Sequence, residues 1–528
     1  MMKERYDYIV VGSGAAGAAS AWRLCQKGFK VVCLERGKHT NPASYPTTTA
    51  DWEIAKSQQF NPVSSMRQSS DDYPVDDSES PIAVCNFNGV GGSTILYSGH
   101  FPRFLPQDFS LRSDEGLYQD WPISYDVLKP YFELNEQQMA VSGLVGDPMY
   151  PEITSLLPPV PIGQAGSMLA EAFNQKNWHW WPSPSAISTR DYNGRNACIN
   201  LGPCNTGCPV GAKSSVDVTY LARAKLLGLA LRSECAVDSI IVEEGVAKGV
   251  VYFDSDGQRH ELLADHVILA ASAIGTPRLL LNSKDTAAAS LGIANSSGLV
   301  GKNLMIHPLG YVEGLFEQQL DTDVGPQGCM IYSLEHYRNP EQPYDLGYMM
   351  HMLRGTGPLE AAMSALNKRK LKFGQRLERD FYQHYKKQLA IAIICDDLPQ
   401  VENQVSLSQA CDKHGTPGVK INYQVSQNTM SMMKDGMSKA KEVLKLAGAK
   451  KTYAYGPVRN TGWHLMGTCK MGHDAHDSVV NSQGKTHDVD NLYVVDSSCF
   501  VTGSCVNPAN TIQSLALYLT DQLVAHYG

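Results

Sequence analysis

The chain has 528 residues, of which 43% are hydrophobic and 19% are charged, and its formal net charge at pH 7 is −8. These values are typical of a globular protein with room for two domains, and the lack of a basic excess argues against nucleic-acid binding. No apolar run approaches the roughly 18 residues of a membrane-spanning helix. Acidic residues precede the apolar stretch 9–21 and glycines interrupt it, so no targeting segment is predicted.

The first 36 residues contain a dinucleotide-binding pattern. A β-branched strand, 9–11, leads into Gly12, Gly14 and Gly17, and an Ala-rich helix and a second apolar strand follow. In such a βαβ unit the glycines permit a tight turn, an approach to pyrophosphate and close helix–strand packing. Glu35, 23 residues after Gly12, can accept hydrogen bonds from ribose hydroxyls. An acid at this position disfavours NADP, while FAD and NAD both remain open.

The segments after this unit alternate between turns, strands and helices. Residues 38–81 are polar and predict a lid-like cover, and a second glycine-rich turn contains Gly91, Gly92 and Ser93. Residues 229–265 alternate as strands do, with a hairpin turn at 254–257. A buried strand at 266–271 should lead to a helix that opens at Thr276 and Pro277.

The second half of the chain changes character. A Met-rich stretch, 349–387, predicts helix, 389–395 predicts a strand and 428–446 predicts a further helix. Residues 490–528 return to a strand followed by a helix. We therefore predict a first domain over 1–310, an inserted substrate-binding domain over 311–450 and a return to the first domain over 451–528.

Several of these segments together resemble the glucose-methanol-choline (GMC) oxidoreductase family, which uses FAD. The N-terminal fingerprint, the turn at 89–93, and the segments 273–280, 300–308, 463–472 and 507–511 match its motifs in the family's order. The resemblance implies an α/β fold of the GMC/PHBH type, with a Rossmann-like FAD-binding domain. It also implies an inserted α+β substrate-binding domain that contains an antiparallel sheet.

The resemblance also implies catalytic residues. The His of the family's HxxGT motif is here His464, the base that takes the hydroxyl proton while the carbon's hydride moves to the flavin. Its C-terminal partner is here Asn507, which can hydrogen-bond the developing alkoxide. The residues implied to contact FAD are Gly12, Gly14, Gly17, Glu35, Gly91, Gly92, Ser93, Val237, Asp496, Pro508 and Thr511.

Covalent attachment of FAD is not expected. Some members of the family attach FAD to a His after the second glycine-rich turn, and the corresponding spacing here falls on Leu96. His100 lies four residues later, out of register. The resemblance therefore implies non-covalent FAD, with His100 either near the cofactor or at the surface.

The implied reaction is oxidation of a CH–OH group to a carbonyl. A sugar, polyol or glycoside is the favoured substrate, because the segments 198–208, 211–215 and 396–405 resemble the bacterial sugar and gluconate dehydrogenases of the family. A non-sugar alcohol such as choline, a sterol or an aryl alcohol is the alternative. A flavin electron-transfer subunit without substrate chemistry is a further alternative, which the intact pair of His464 and Asn507 disfavours. The electron acceptor could be oxygen, a quinone or a cytochrome subunit.

Three cysteines fall within 11 residues of a loop: Cys198, Cys204 and Cys208. This spacing resembles that of FAD glucose dehydrogenases that carry a three-iron cluster as an electron relay, and three thiolates can hold such a cluster. Zinc would need a fourth ligand, and none lies nearby. Many relatives instead keep a cysteine-bearing loop with no metal, in which the thiols pack beside the flavin.

The other cysteines bear on the compartment. The 13 cysteines are scattered, and Cys33, Cys235 and Cys395 fall in apolar strand-like runs, as buried free thiols do. A cytoplasmic location is therefore expected. If the three-cysteine loop carries a cluster, the alternative is a periplasmic location reached by co-export with a partner that bears a signal peptide.

Overall fold

The computed structural model describes residues 5–67, 69, 72–284, 292–328, 330–354, 357–367, 371 and 373–527. Its helices are α1 (Ala15–Gln26), α2 (Trp52–Ser57), α3 (Leu111–Glu115), α4 (Tyr125–Gln138), α5 (Gly163–Lys176), α6 (Tyr220–Leu226), α7 (Ser272–Asn282), α8 (Pro358–Asn367), α9 (Leu377–Tyr382), α10 (Gln427–Leu446) and α11 (Ala509–Tyr527). Its strands are β1 (Arg5–Val11), β2 (Val31–Leu34), β3 (Val75–Glu79), β4 (Trp181–Pro182), β5 (Ala230–Arg232), β6 (Ala236–Glu243), β7 (Val246–Phe253), β8 (Arg259–Leu269), β9 (Leu309–Leu315), β10 (Ile331–Ser333), β11 (Tyr348–Leu353), β12 (Gln388–Cys395), β13 (Gln404–Cys411), β14 (Pro417–Asn422), β15 (Lys451–Tyr455) and β16 (Leu492–Val494).

A seven-stranded sheet organises the two ends of the chain. Its order is β5-β2-β1-β8-β7-β6, and β16 pairs with β8. The strands β5, β2, β1, β8 and β16 are parallel, as expected where helices cross between strands, whereas β6, β7 and β8 are joined as antiparallel neighbours. This confirms the βαβ unit and the hairpin. The C-terminal α11 packs on α1, so the last residues complete the domain that the first residues begin.

A six-stranded antiparallel sheet forms the second layer, in the order β15-β9-β12-β11-β10-β4. The helices α5 and α10 pack on one face of it, around a core that includes Phe173, Ile391, Met433 and Leu444. Its edge strands β4 and β15 come from outside residues 311–450. The α/β fold with an antiparallel sheet is confirmed, and the domain boundaries stay a prediction.

The prediction of helix over 349–387 is wrong at its start, where β11 forms. Successive side chains of a strand point to opposite faces, and the Met-rich segment suits both faces. Tyr348, Met350 and Met352 belong to the core beneath α10, while Met349 belongs to the core of the seven-stranded sheet. Methionine fits either environment, so composition alone did not distinguish a strand buried on both faces from a helix.

The start of α7 also differs from the prediction. The helix begins at Ser272, and Pro277 lies inside it rather than at its opening. A proline inside a helix leaves the carbonyl four residues earlier without its backbone donor. Here that carbonyl, on Ala273, accepts a hydrogen bond of 2.8 Å from the Thr468 hydroxyl. A distant side chain therefore compensates for the proline.

The polar segment 38–81 contains ordered structure. It includes α2 and β3, and β3 pairs in parallel with β14 in a three-stranded sheet. Residues 68, 70 and 71 lie outside the described part of this segment. Its role as a lid stays a prediction. Within the described chain, no helix has the length and apolar character needed to cross a membrane.

Candidate active site

The first glycine-rich turn is closely packed. Gly12 has φ +98°, and a Cβ atom placed on it would lie 2.5 Å from the Ala270 carbonyl oxygen. A Cβ atom on Gly17 would lie 2.0 Å from the Gly12 carbonyl oxygen. Both positions therefore require glycine. Gly12 is required for its backbone conformation and for its close contact, and Gly17 for its close contact alone.

The two glycine-rich turns touch each other. Gly91 has φ +99°, and a Cβ atom on Gly92 would lie 2.7 Å from the Gly14 Cα atom. The Gly91 amide donates to the Ser13 hydroxyl at 3.4 Å. Segments nearly 80 residues apart in the chain therefore form one continuous backbone wall.

A large cavity opens along this wall, with about 1120 Å³ of empty space that includes its part open to solvent. Eight of the predicted FAD contacts line it: Gly12, Gly14, Glu35, Gly92, Ser93, Val237, Asp496 and Pro508. Residues that the sequence reasoning did not name also line it, among them Arg36, Thr94, Cys235 and Trp463.

The remaining three predicted contacts lie behind the cavity wall. Gly17 packs against Gly12, and Gly91 shapes the second turn. The Thr511 hydroxyl accepts a hydrogen bond of 3.2 Å from the Phe104 amide. These three residues shape the site from outside, and contact with FAD stays a prediction for all eleven.

Glu35 is buried and firmly positioned. One carboxylate oxygen accepts hydrogen bonds from the Ser13 amide at 3.0 Å and the Ser13 hydroxyl at 2.8 Å, and the other accepts one from the Gly37 amide at 2.9 Å. Burial raises the pKa of Glu35, and these hydrogen bonds oppose the shift. A carboxylate oxygen can accept more than one hydrogen bond, so this group keeps capacity for ribose hydroxyls.

Asp496 connects the end of β16 to α7. One of its oxygens accepts from the Ser272 amide at 2.9 Å and the Thr276 hydroxyl at 2.6 Å, and the other accepts from the Ser498 amide at 2.8 Å. Burial raises the pKa of Asp496, again opposed by these hydrogen bonds. The carboxylate therefore holds together three backbone segments that border the cavity.

His464 and Asn507, predicted from distant segments, are in contact. The Asn507 side-chain nitrogen lies 3.0 Å from Nε2 of His464. The chain neighbours Trp463 and Pro508 line the cavity, which places the pair at its edge. On its other side, Nδ1 of His464 lies 3.0 Å from Nδ1 of His307. His307 is fully buried and was not assigned a role from the sequence, although it belongs to the matched segment 300–308.

These contacts determine where the imidazole proton sits. An amide nitrogen only donates, so Nε2 of His464 accepts from Asn507 and carries a lone pair. The proton of His464 is then on Nδ1, where it is donated to Nδ1 of His307. Burial lowers the pKa of His464 to about 4, and the nearby His351 adds to this effect. His464 is therefore a neutral base at neutral pH, with its lone pair toward Asn507.

The cysteine loop is not arranged as a metal site in the described part of the chain. Cys198, Cys204 and Cys208 do line one small pocket, with about 350 Å³ of empty space that includes its part open to solvent. The loop is held by Lys213, whose ammonium donates to the Cys204 carbonyl at 2.7 Å and whose amide donates to the Cys208 sulfur at 3.5 Å. Over the described residues, no group of three or more His, Cys, Asp or Glu side chains is placed to hold a metal ion. Nothing here supports the predicted iron–sulfur cluster.

Comparison with known proteins identifies the family. The family description "GMC oxidoreductase" matches residues 164–309 and 399–516, and "NAD(P)-binding Rossmann-like domain" matches residues 10–55. The chain is 38% identical to 2-methyl-1,2-propanediol dehydrogenase of Mycolicibacterium austroafricanum, over 99% of this chain and 96% of that protein. The chain belongs to the GMC oxidoreductase family.

Other relatives of this GMC oxidoreductase are more distant. It is 29% identical to 6'''-hydroxyparomomycin C oxidase of Streptomyces lividus, over 99% of this chain and 92% of that protein. It is 25% identical to the fructose dehydrogenase large subunit of Gluconobacter japonicus, over 98% of this chain and 97% of that protein. Among solved structures, pyridoxine 4-oxidase from Mesorbium loti has the same fold, with a TM-score of 0.69 and 17% identity. The match covers 99% of this chain and 100% of that chain.

Family membership implies FAD, and the cavity fits this cofactor. Gly14 caps α1 without a side chain, so the first amides of the helix face the cavity without an acceptor of their own. A helix N-terminus of this kind suits a pyrophosphate. Glu35 suits the ribose hydroxyls, and the two glycine-rich turns allow close approach of a flat ring system. This GMC oxidoreductase is an FAD-dependent enzyme that acts on CH–OH groups.

Proposed function

We propose that this GMC oxidoreductase oxidises a CH–OH group of a small polyhydroxy compound to a carbonyl, with His464 as the base. The observation that carries the proposal is the contact of 3.0 Å between the Asn507 side-chain nitrogen and Nε2 of His464 at the edge of the FAD cavity. Relatives named for a propanediol, an aminoglycoside and fructose support a substrate with several hydroxyls.

Each side chain of the pair has a distinct task. When bound, FAD supplies the acceptor for the hydride that leaves the substrate carbon. Nε2 of His464 takes the hydroxyl proton, since it is the ring nitrogen that carries a lone pair. The Asn507 amide donates to Nε2 of His464 at 3.0 Å. With substrate bound, it donates instead to the substrate oxygen as negative charge develops on that oxygen.

His307 acts as a positioning residue. Its Nδ1 accepts the Nδ1 proton of His464 at 3.0 Å, which keeps the lone pair of His464 on Nε2. Burial lowers the pKa of His307 well below its ordinary value, so this ring stays neutral and can accept. A protonated His307 would have no lone pair to offer.

The function is tested by anaerobic mixing of the holoenzyme with a panel of 1,2-diols, polyols, sugars and mono-alcohols. We expect at least one polyhydroxy compound to bleach the flavin absorbance. A flavin that stays oxidised with every member of the panel would contradict the proposal. Subsequent admission of air, a quinone or a cytochrome then distinguishes the proposed external electron acceptors.

We further propose that FAD is bound without a covalent bond. Leu96, at the position where some relatives bear the attaching His, offers no nucleophile and is buried in an apolar cluster with Tyr45 and Phe60. His100 is buried rather than at the surface, and its ring contacts His351. Acid precipitation of the holoenzyme is expected to leave the flavin in the supernatant, and flavin in the protein pellet would contradict this.

A cytoplasmic location remains our proposal. The twelve cysteines that the structure describes form no disulfide with one another, and eight of them are buried. Free thiols persist in a reducing compartment, which is what supports the proposal.

A further inference from the structure

Four buried or half-buried histidines adjoin one another at the proposed catalytic base. The rings of His100 and His351 lie 4.1 Å apart between centroids. Both are close enough to His464 to interact with it electrostatically, and His307 contacts His464 directly. The reaction proposed above uses His464, Asn507 and His307, and it gives no task to His100 or His351.

The polar atoms of this cluster are poorly satisfied. Among the described residues, both nitrogens of His100, Nε2 of His351 and Oδ1 of Asn507 are buried and have no hydrogen-bond partner. His100 and His351 are only 2% and 3% exposed. Buried polar groups are nearly always paired in proteins, so several unpaired atoms in contact indicate a ligand that supplies hydrogen bonds.

The strand register explains how His351 reaches this place. His351 lies opposite Tyr332 on β10 and Ala392 on β12. Tyr332 and Ala392 belong to the core shared with the seven-stranded sheet, so this row of the second sheet faces the FAD-binding half. His351 therefore projects toward the same region as His464, from the opposite layer.

Neighbouring groups hold the two rings and leave both nitrogens of His100 and Nε2 of His351 unpaired, whereas the other ring nitrogen of His351 hydrogen-bonds the Gly328 backbone. The Tyr332 ring meets His100 edge to face at 5.7 Å, and the Tyr332 hydroxyl donates to Asp147. His179 completes this network through Nε2, which lies 3.0 Å from Asp147. Because Tyr332, Asp147 and His179 satisfy one another, both nitrogens of His100 and Nε2 of His351 are the groups left for a ligand.

We propose that His100 and His351 bind a second hydroxyl of the substrate, on a carbon next to the one that is oxidised. This inference rests on the proposed function and narrows its substrate class to compounds with vicinal hydroxyls. The neutral ring of His100 offers one donor and one acceptor, which match the acceptor and donor of a hydroxyl, and Nε2 of His351 offers one further hydrogen-bonding group. A mono-alcohol would leave the two rings buried and unpaired, which is the basis of discrimination against it.

The test compares 1,2-propanediol with 1-propanol in anaerobic stopped-flow reduction of the holoenzyme. We expect the limiting reduction rate divided by the substrate Kd to be about 100-fold or more higher for the diol than for the mono-alcohol, as for sites that bind a substrate hydroxyl. His351→Phe and His100→Phe keep an aromatic ring and remove the hydrogen bonds. Each is expected to lower this preference for the diol by roughly 10- to 100-fold, chiefly through a higher Kd for the diol. His351→Gln, which keeps hydrogen-bonding groups, should retain part of the preference.

His336→Phe is the matched control. His336 is also buried with two unpaired ring nitrogens, but its ring packs on Trp178 and Tyr348, away from His464. The control should keep the wild-type preference. If a Phe variant loses FAD, the preference of the wild-type enzyme and of His351→Gln for the diol still tests the inference.

Two results would overturn the inference while the proposed function stands. One is a wild-type enzyme that reduces its flavin equally well with diol and mono-alcohol. The other is an unchanged preference in both Phe variants. Failure of the proposed function has a different signature, since no alcohol would then reduce the flavin, and the inference would fall with it.

Discussion

Replacing His464 with alanine is expected to leave FAD bound and to slow flavin reduction by about 10²- to 10⁴-fold, the usual contribution of a general base. The side chain contacts Asn507 and His307, so its loss removes the proton acceptor without altering the glycine-rich walls. Anaerobic stopped-flow reduction measures the rate. Asn507→Ala should cost less, because it weakens only the stabilisation of the alkoxide.

The assignment of His464 as the base also determines how the wild-type rate of flavin reduction depends on pH. The folded-state pKa of His464 is lowered from 6.5 to about 4, so the ring stays neutral and active through pH 5–8. The rate should fall only as the pH approaches 4. Stability behaves differently, since the unfolded ring takes up its proton near pH 6.5, and stability therefore declines as the pH falls from there toward 4.

The control for the alanine variant is His39→Ala, the same change at an exposed position. It should reduce flavin at the wild-type rate. A His464→Ala enzyme that matches the wild-type rate would refute the assignment of the base. A wild-type rate that halves near pH 6.5 would refute the lowered pKa of His464. The assignment of His464 as the base would then still be tested by the His464→Ala variant.

Replacing Gly17 with alanine is expected to abolish stable FAD binding. The new Cβ atom would lie 2.0 Å from the Gly12 carbonyl oxygen, which belongs to the backbone of the cofactor turn and cannot move aside alone. Overpacking of this kind costs about 3 kcal/mol or more when backbone must shift. The flavin-to-protein ratio after purification and the thermal unfolding midpoint measure the effect.

Gly28→Ala is the matched control for this variant. Gly28 has φ +89° with nothing within 4 Å of a Cβ atom, so alanine there carries only the cost of a left-handed conformation. That cost is about 1–2 kcal/mol, and FAD should stay bound. A Gly17→Ala protein that retains a full complement of FAD would show that the close packing of α1 on the turn is not required.

The local patterns in the chain were sufficient for the FAD-binding half. Glycine spacing, an apolar strand and a terminal acid placed β1, α1, β2 and Glu35 correctly, because each signal lies within about 35 residues and reflects backbone geometry. The proposed catalytic pair, His464 and Asn507, came from motif resemblance rather than from any property of the two residues. Their contact at 3.0 Å agrees with that pairing.

Sequence patterns predict less well where the structure of a segment depends on its surroundings. The Met-rich segment that begins at residue 349 predicts helix, because methionines suit helices and strands buried on both faces alike, and only its pairing with β10 and β12 makes it a strand. The spacing of Cys198, Cys204 and Cys208 predicts a cluster, which nothing in the described structure supports, and the folded loop is held by the buried Lys213.

The sequence by itself was sufficient to predict the family and FAD as its cofactor, and it supplied His464 as the proposed base. Only the tertiary structure decided which other histidines meet that base. His100, His307 and His351 come from a loop after the second turn, a loop before β9 and the middle of β11. Their proximity follows from the packing of two sheets against each other, and no spacing along the chain encodes it. Contacts made by long-range packing depend on register and layer orientation, which are properties of the assembled fold.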